Sequence, residues 1–290
     1  MKLYSQNTIK EIKNKHNFKM TKSLGQNFLA DKNIIDKIIE ETFIEEDDLV
    51  IEIGPGIGVL TAEAAQYARK VIAIELDKEL LPILDYTLSE YDNIEIINED
   101  ILKTNLRNII ENAKKEDPVL KGVKIIGNLP YYITTPIIMK ILEENIPANS
   151  ITIMMQKEVA DRIKAHPNTK AYGTLSIAVQ YYCNVCQIAT VPKEVFVPVP
   201  KVDSAVLRLE IRDEKPVELL EENMFFLCVK KGFSKRRKTL LNCMVGLGGM
   251  NKEEIRTLLT EIDIDPIRRA ETLMMDEFAT LANHMKRGMK

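Results

Sequence analysis

The feature that most constrains the fold is an apolar run, Leu49-Val50-Ile51-Glu52-Ile53, that opens without a break into Gly54-Pro55-Gly56-Ile57-Gly58. A glycine loop leaving a buried strand lets the backbone turn sharply and brings main-chain atoms against a ligand, as at the carboxyl ends of strands in open parallel sheets. Downstream, short β-rich runs alternate with longer helical stretches, which predicts a mostly parallel sheet with helices on both faces. Strands are expected at 49–53, 71–75, 94–97, 123–127 and 151–155, each nearly all apolar, as burial on two faces demands. Residues 185–191 and 204–211 are separated by Pro192, Pro198 and Pro200, so they read as two further strands, an antiparallel pair closing one edge of a seven-stranded sheet. After Asp213-Glu-Lys-Pro216, helical periodicity takes over through Met285, punctuated by Gly246, Gly248 and Gly249. The predicted division is a basic, mobile extension at 1–20, an α/β domain at 21–212 and a small all-helical domain at 213–290.

Bulk properties narrow the class. A chain of 290 residues, 45% of them hydrophobic, can bury a sizeable core. It has no run of about 18 apolar residues and no apolar core of a secretion signal at its start, so a cytoplasmic protein without membrane contact is expected. Cys183 and Cys186 form a lone C-x-x-C; with three histidines and no second cysteine pair, no metal is expected, and the cysteines read as small buried side chains. The net charge of −3 hides an uneven distribution. Residues 1–30 hold six lysines against one glutamate, whereas residues 41–125 carry nineteen acids against nine bases. A second basic cluster, Lys230-Lys231-Gly-Phe-Ser-Lys235-Arg236-Arg237-Lys238, contains no acid. Its arginines and the interleaved Phe233 favour a nucleic-acid surface over a merely solvated face.

Dinucleotide enzymes and S-adenosylmethionine enzymes share such a glycine loop, and in both an acid ending the second strand binds ribose hydroxyls. Glu75 lies twenty-one residues after Gly54, in that place. Gly58 follows Gly56 by two residues where G-x-G-x-x-G needs three, which weakens a pyrophosphate cradle. Glu52 beside the loop suits a cationic sulfonium better than a pyrophosphate. Asp100, in Asn98-Glu99-Asp100-Ile101, is placed to accept from an adenine amine, and it is also a candidate helix cap.

The fourth strand ends in Asn128-Leu129-Pro130-Tyr131. Methylating an aryl amine requires acceptors that grip its hydrogens and favour a tetrahedral nitrogen. The Asn128 side-chain carbonyl and the Leu129 backbone carbonyl are the candidates, with Pro130 stiffening the turn and Tyr131 stacking on the purine. A base in a duplex must be flipped out to reach such a pocket. Phe196, on the proline-stiffened run Phe196-Val-Pro198-Val-Pro200, is read either as the other wall of the adenine pocket or as a hydrophobic plug.

Together these residues resemble the ribosomal RNA adenine dimethyltransferases of the small subunit, over about residues 20–282. The likeness rests on Leu24-Gly-Gln26-Asn27-Phe28-Leu29, the Gly54 loop, Glu75, Asp100, Asn128-Leu-Pro-Tyr131, Phe196-x-Pro-x-Pro-Lys-Val-Asp-Ser204 and Phe233-Ser-Lys-Arg236-Arg237-Lys238. The resemblance implies a Rossmann-like S-adenosylmethionine methyltransferase domain with a helical C-terminal domain. It implies S-adenosylmethionine contacts from Asn27, Leu29, Gly54, Glu75, Asp100 and Asn128, to which the loop reading adds Glu52, Gly56 and Gly58. It further implies two methyl transfers to each of two neighbouring adenines in a hairpin near the 3′ end of small-subunit RNA, on an assembling 30S particle, by alignment rather than by metal or covalent chemistry. Expected RNA contacts are Lys22, Lys201, Lys230, Lys231, Lys235, Arg236, Arg237 and Lys238, on a protein expected to be a monomer. Glu99, where many relatives have glycine, and the basic segment before Thr21 depart from the pattern. The rival readings are a large-subunit dimethyltransferase of the macrolide-resistance type, a noncatalytic RNA-binding or assembly factor on the same fold, and a nicotinamide dehydrogenase.

Overall fold

A computed structural model of the chain describes residues 1–21 and 24–288. Its contacts divide it into two units, Met1–Ala160 with Asn184–Ile211, and Asp161–Cys183 with Arg212–Lys290. The strands in chain order are β1 (Phe28–Leu29), β2 (Leu49–Ile53), β3 (Lys70–Glu75), β4 (Ile94–Asn98), β5 (Val123–Asn128), β6 (Ser150–Gln156), β7 (Cys183–Val191), β8 (Phe196–Val197) and β9 (Ser204–Ile211). Seven of them form one sheet in the order β4-β3-β2-β5-β6-β9-β7. The strands from β4 through β6 are mutually parallel, and β9 runs antiparallel to β6 with β7 beyond it at the edge.

Burial explains which runs became strands. β2 is buried at all five residues and β6 at six of seven, so these mostly apolar strands fill both faces of the central sheet, with Glu52, Ser150 and Thr152 buried among the aliphatic side chains. β4 departs from that expectation: as the other edge strand it has no fully buried residue, and Glu95 is exposed. The helices that cover the sheet carry their own boundary signals. The Asp31 carboxylate caps the helix Lys32–Thr42 by accepting from the Ile34 amide, and Phe43 ends it in the left-handed region at φ 52°. The Asn105 side chain caps the helix Leu106–Glu116, which buries Leu106, Ile110 and Ala113 along one face.

This topology fixes the place of the site. β3 and β4 are laid down on one side of β2, and β5 returns to its other side, so the strand order reverses between β2 and β5. Because these strands are parallel, the glycine loop after β2, Glu75 ending β3, Asp100 after β4 and Asn128 ending β5 all emerge at one end of the sheet. That end of a reversal point is where open α/β sheets hold ligands.

Three expectations are corrected. Residues 1–20 are not a mobile tail: Gln6–Lys15 is a helix whose Ile9 and Ile12 are buried with Leu3 and Phe18 in the core of the first unit. Full burial of an aliphatic side chain is worth roughly 1.5–3 kcal/mol, which secures a short helix that propensity alone leaves marginal. The boundary at 212 is not a single cut, because Asp161–Cys183 groups with the C-terminal helices. Within that second unit Tyr181 packs on Phe225 and Phe226, Tyr172 meets Phe233, and Tyr172 donates to the Leu273 carbonyl at 3.1 Å. Cys186 is exposed, whereas Cys183, Cys228 and Cys243 are buried and free.

Candidate active site

The glycine loop, the strap Leu24–Leu29, the ends of β3 and β5 and the turn after β4 enclose a cleft of about 1010 Å³ including its mouth. Gly54, Gly56, Glu75, Asp100, Asn27, Leu29, Asn128, Leu129, Pro130 and Tyr131 all line it. Gly54 has φ +69° and a Cβ there would meet nothing within 4 Å, so glycine both permits the turn and leaves bare backbone toward open space. Gly56, at φ +62°, is closed over by Phe28, whose ring would lie 2.9 Å from an added Cβ.

Glu75 is held by two backbone amides: Gly56 N–H donates to Oε2 at 3.3 Å and Asp77 N–H to Oε1 at 2.8 Å. Burial pushes its carboxyl above the usual glutamate range, against the pull of those bonds. Asp100 accepts from the Leu102 amide at 3.0 Å through Oδ1 within a turn; it lines the cleft but is not a helix cap, since Asn105 caps the helix that follows. A carboxylate on each of two strand ends, together with bare loop backbone, fits a cofactor bearing ribose hydroxyls, an adenine amine and a positive charge.

At the other end, the Asn128 side-chain amide donates to the Asn27 carbonyl at 2.8 Å. That bond takes one of the amide's two N–H groups to the strap; the other N–H and the acceptor Oδ1 belong to a side chain that lines the cleft. The Leu129 carbonyl accepts from no described residue outside regular elements, so two acceptors stand side by side at the end of β5. The Tyr131 hydroxyl is bonded to Ser204 Oγ at 2.8 Å, which fixes the ring, and burial raises its phenol above the ordinary value, so it stays neutral.

Three expected site residues lie elsewhere. Glu52 does not line the cleft: it is 1% exposed, and its Oε2 accepts from Thr61 Oγ1 at 2.5 Å, beneath the loop. Water exclusion pushes its carboxyl up to about 8, with the Glu75 charge adding to the effect. Gly58 is also outside the lining; at φ +86° it starts the helix Val59–Ala64 and lies against Leu88. Phe196 is the plug rather than the wall: 1% exposed, it belongs to the core cluster and pairs with Leu29 in the small β1–β8 ribbon.

Among the expected RNA contacts, Lys201 is exposed and lines a second hollow with Lys157 and Lys193. In the second unit Lys230, Lys235, Arg236, Arg237 and Lys238 are exposed and Lys231 half-buried, with Arg236 donating to the Lys170 carbonyl. Phe233 is not displayed for a base, since its ring packs on Phe278 and Tyr172. Lys22 lies outside the described residues.

Sequence reasoning missed Gln26 and Asp77. Gln26 Nε2 donates to Asp77 Oδ2 at 2.6 Å, and its Oε1 accepts from the Thr21 amide at 2.8 Å, so the strap is tied to the loop that presents Glu75. A polar residue inside the Leu24–Leu29 motif and an acid two positions after Glu75 were the available signals. Glu99 and Tyr132 also line the cleft.

The chain matches the family described as ribosomal RNA adenine dimethylase over residues 17–286. It is 52% identical over 282 residues to "Ribosomal RNA small subunit methyltransferase A" of Clostridioides difficile (strain 630), covering 97% of this chain and 96% of that protein. A protein of the same name from Alkaliphilus oremlandii (strain OhILAs) is 52% identical over 95% of each chain. Among solved structures, a dimethyladenosine transferase from Plasmodium falciparum superposes with a TM-score of 0.74 at 26% identity, over 88% of this chain and 95% of that one. The 23S rRNA methyltransferase ErmE gives 0.66 at 26%, over 89% and 99%.

Proposed function

Since the chain belongs to the ribosomal RNA adenine dimethylase family, we propose that its cleft brings S-adenosylmethionine and the N6 amine of a flipped-out adenine of small-subunit ribosomal RNA into line for transfer. The enzyme is an S-adenosylmethionine-dependent adenine dimethyltransferase; its two substrates divide the cleft between them. The cofactor supplies an electrophilic methyl carbon on a sulfonium.

The chain's own residues account for the rest. Glu75 holds ribose hydroxyls, Asp100 accepts from the cofactor's adenine amine, and Gly54 with Asn27 and Leu29 shapes the channel. Asn128 Oδ1 and the Leu129 carbonyl take the two hydrogens of the target amine, drawing its lone pair out of conjugation with the ring. Pro130 stiffens that turn, and Tyr131, anchored on Ser204, stacks on the purine. The first transfer leaves the nitrogen with a surplus proton, which passes to water; one hydrogen then remains, and one acceptor suffices to hold the amine for the second. Rate enhancement from such alignment requires no general base.

The observation that carries this reading is the Asn128 amide, anchored on the Asn27 carbonyl at the lining of the cleft, where its oxygen is the acceptor proposed for the substrate amine. The finer reading places the transfers on two adjacent adenines in a hairpin near the 3′ end of the RNA, on an assembling 30S particle, by a cytoplasmic monomer. The exposed cations Lys201, Lys230, Lys235, Arg236, Arg237 and Lys238, with Lys231, are its proposed phosphate contacts.

The test is transfer of labelled methyl from S-adenosylmethionine to unmodified small and large ribosomal particles, followed by nucleoside analysis. N6,N6-dimethyladenosine in small-subunit RNA is the expected product. Label confined to large-subunit RNA, or tight particle binding without transfer, would overturn the reading.

A further inference from the structure

We propose that residues 1–21 are a brace for the cofactor end of the cleft, with Phe18 as a positioning residue that holds Phe28 against Gly56. Two linkages support it, and they converge where the Gly56 amide donates to Glu75. The first is apolar. Leu3, Ile9, Ile12 and Phe18 are each 5% exposed or less and belong to the same core cluster as Phe28 and Leu29. The Phe18 ring lies 6.3 Å from that of Phe28, centroid to centroid, and Phe28 in turn lies against Gly56 and lines the cleft. The second is polar: the Thr21 amide donates to Gln26, Gln26 donates to Asp77, and the Asp77 amide donates to Glu75, which also accepts from Gly56. The segment therefore bears on both the loop and the acid that face the cofactor.

The helix Gln6–Lys15 is fastened on its far side as well. The Lys15 ammonium sits 3.4 Å from the centroid of the Tyr86 ring, and His16 packs against the same ring. Packed side chains with little free volume transmit a displacement to their neighbours instead of absorbing it. Removing the Phe18 ring frees Phe28 to move away from Gly56, and the Gly56 amide that donates to Glu75 loses its fixed position.

The inference rests on the reading of this cleft as an S-adenosylmethionine site, and its test separates the two. S-adenosylmethionine binding to the full-length protein is measured by calorimetry for the parent, Phe18→Ala, Phe18→Leu and the exposed-face control Lys10→Ala. Phe18→Ala is expected to weaken binding by about tenfold, with Phe18→Leu restoring most of it, Lys10→Ala unchanged, and the Michaelis constant for the ribosomal particle unmoved in all. Hydrogen exchange at the Gly56 amide is expected to quicken in Phe18→Ala alone. A parent that binds and a folded Phe18→Ala that binds equally well would overturn the brace. A parent that binds no S-adenosylmethionine would overturn the cofactor reading and the brace with it. Should Phe18→Ala fail to fold, Ile12→Val, a smaller perturbation of the same packing, is expected to weaken cofactor binding measurably; unchanged affinity there also overturns the proposal.

Discussion

At Asn128 a single amide has two tasks that only a carboxamide combines: its nitrogen donates to the strap, and its oxygen is the acceptor proposed for the target amine. Asn128→Ala removes the acceptor, and methyl transfer is expected to fall by roughly 10²-fold or more while particle binding is retained. Single-turnover transfer with a filter-binding control checks this. Glu75 gives a pH dependence. Its carboxyl is raised by burial, so on acidification it protonates earlier than an exposed glutamate and loses its charge toward the cofactor. S-adenosylmethionine affinity should therefore fall as pH is lowered, starting at a higher pH than an exposed glutamate would give, whereas Glu75→Gln should bind weakly with a flat profile. Glu52 works on stability. Its folded pKa of about 8 lies above the ordinary 4.5, so the neutral buried form contributes stability that is complete below the lower value and is lost as pH rises through the upper one. Glu52→Gln keeps an acceptor for Thr61 without that loss. It should melt higher than the parent near pH 8, with the gap closing toward about pH 5; parallel melting curves would show Glu52 ionised in the fold.

The elements around the cleft are short, and tertiary contact makes them. β1 and β8 are two residues each, too brief for any periodicity to reveal, and exist because Phe28 pairs with Val197 and Leu29 with Phe196. The ribbon joins the strap to the proline-stiffened loop and buries Phe196 beneath it. A plug and a stacking wall differ in what they tolerate. Phe196→Leu fills most of the volume and should keep most of the activity, whereas Phe196→Ala should cost roughly 3–5 kcal/mol of stability. Denaturant unfolding alongside methyl transfer measures both, and a folded Phe196→Leu without activity would return Phe196 to the adenine pocket. The helix Gln6–Lys15 follows the same rule: its lysines suggest a solvated tail, but Ile9 and Ile12, three apart on one face, are buried.

On the scale of the whole molecule, charge is segregated along the chain, with the acidic stretch in the first unit and the Lys230–Lys238 cluster in the second. Neutralising Lys235, Arg236 and Arg237 together should weaken particle binding, flatten its salt dependence by about one unit of slope for each phosphate no longer neutralised, and leave S-adenosylmethionine affinity unchanged. Particle affinity unchanged across salt concentrations would remove that cluster from the RNA surface. The parallel sheet was legible in the sequence because each strand is a local apolar run and each turn a local glycine or proline signal. The order Gly54, Glu75, Asp100, Asn128 at successive strand ends was legible for the same reason, since parallel strands deliver their carboxyl ends to one side. What the sequence could not decide is which way a side chain faces and what lies against it across long separations. Glu52 turning to Thr61, Phe196 sinking into the core, Phe233 packing on Phe278, Gln26 reaching Asp77 and Asp161–Cys183 joining the C-terminal helices are all interactions of that kind. Local pattern specifies an element's type and its polar or apolar face; only close packing of the assembled chain selects the partner, because that selection depends on volumes and donors contributed by residues far away in sequence.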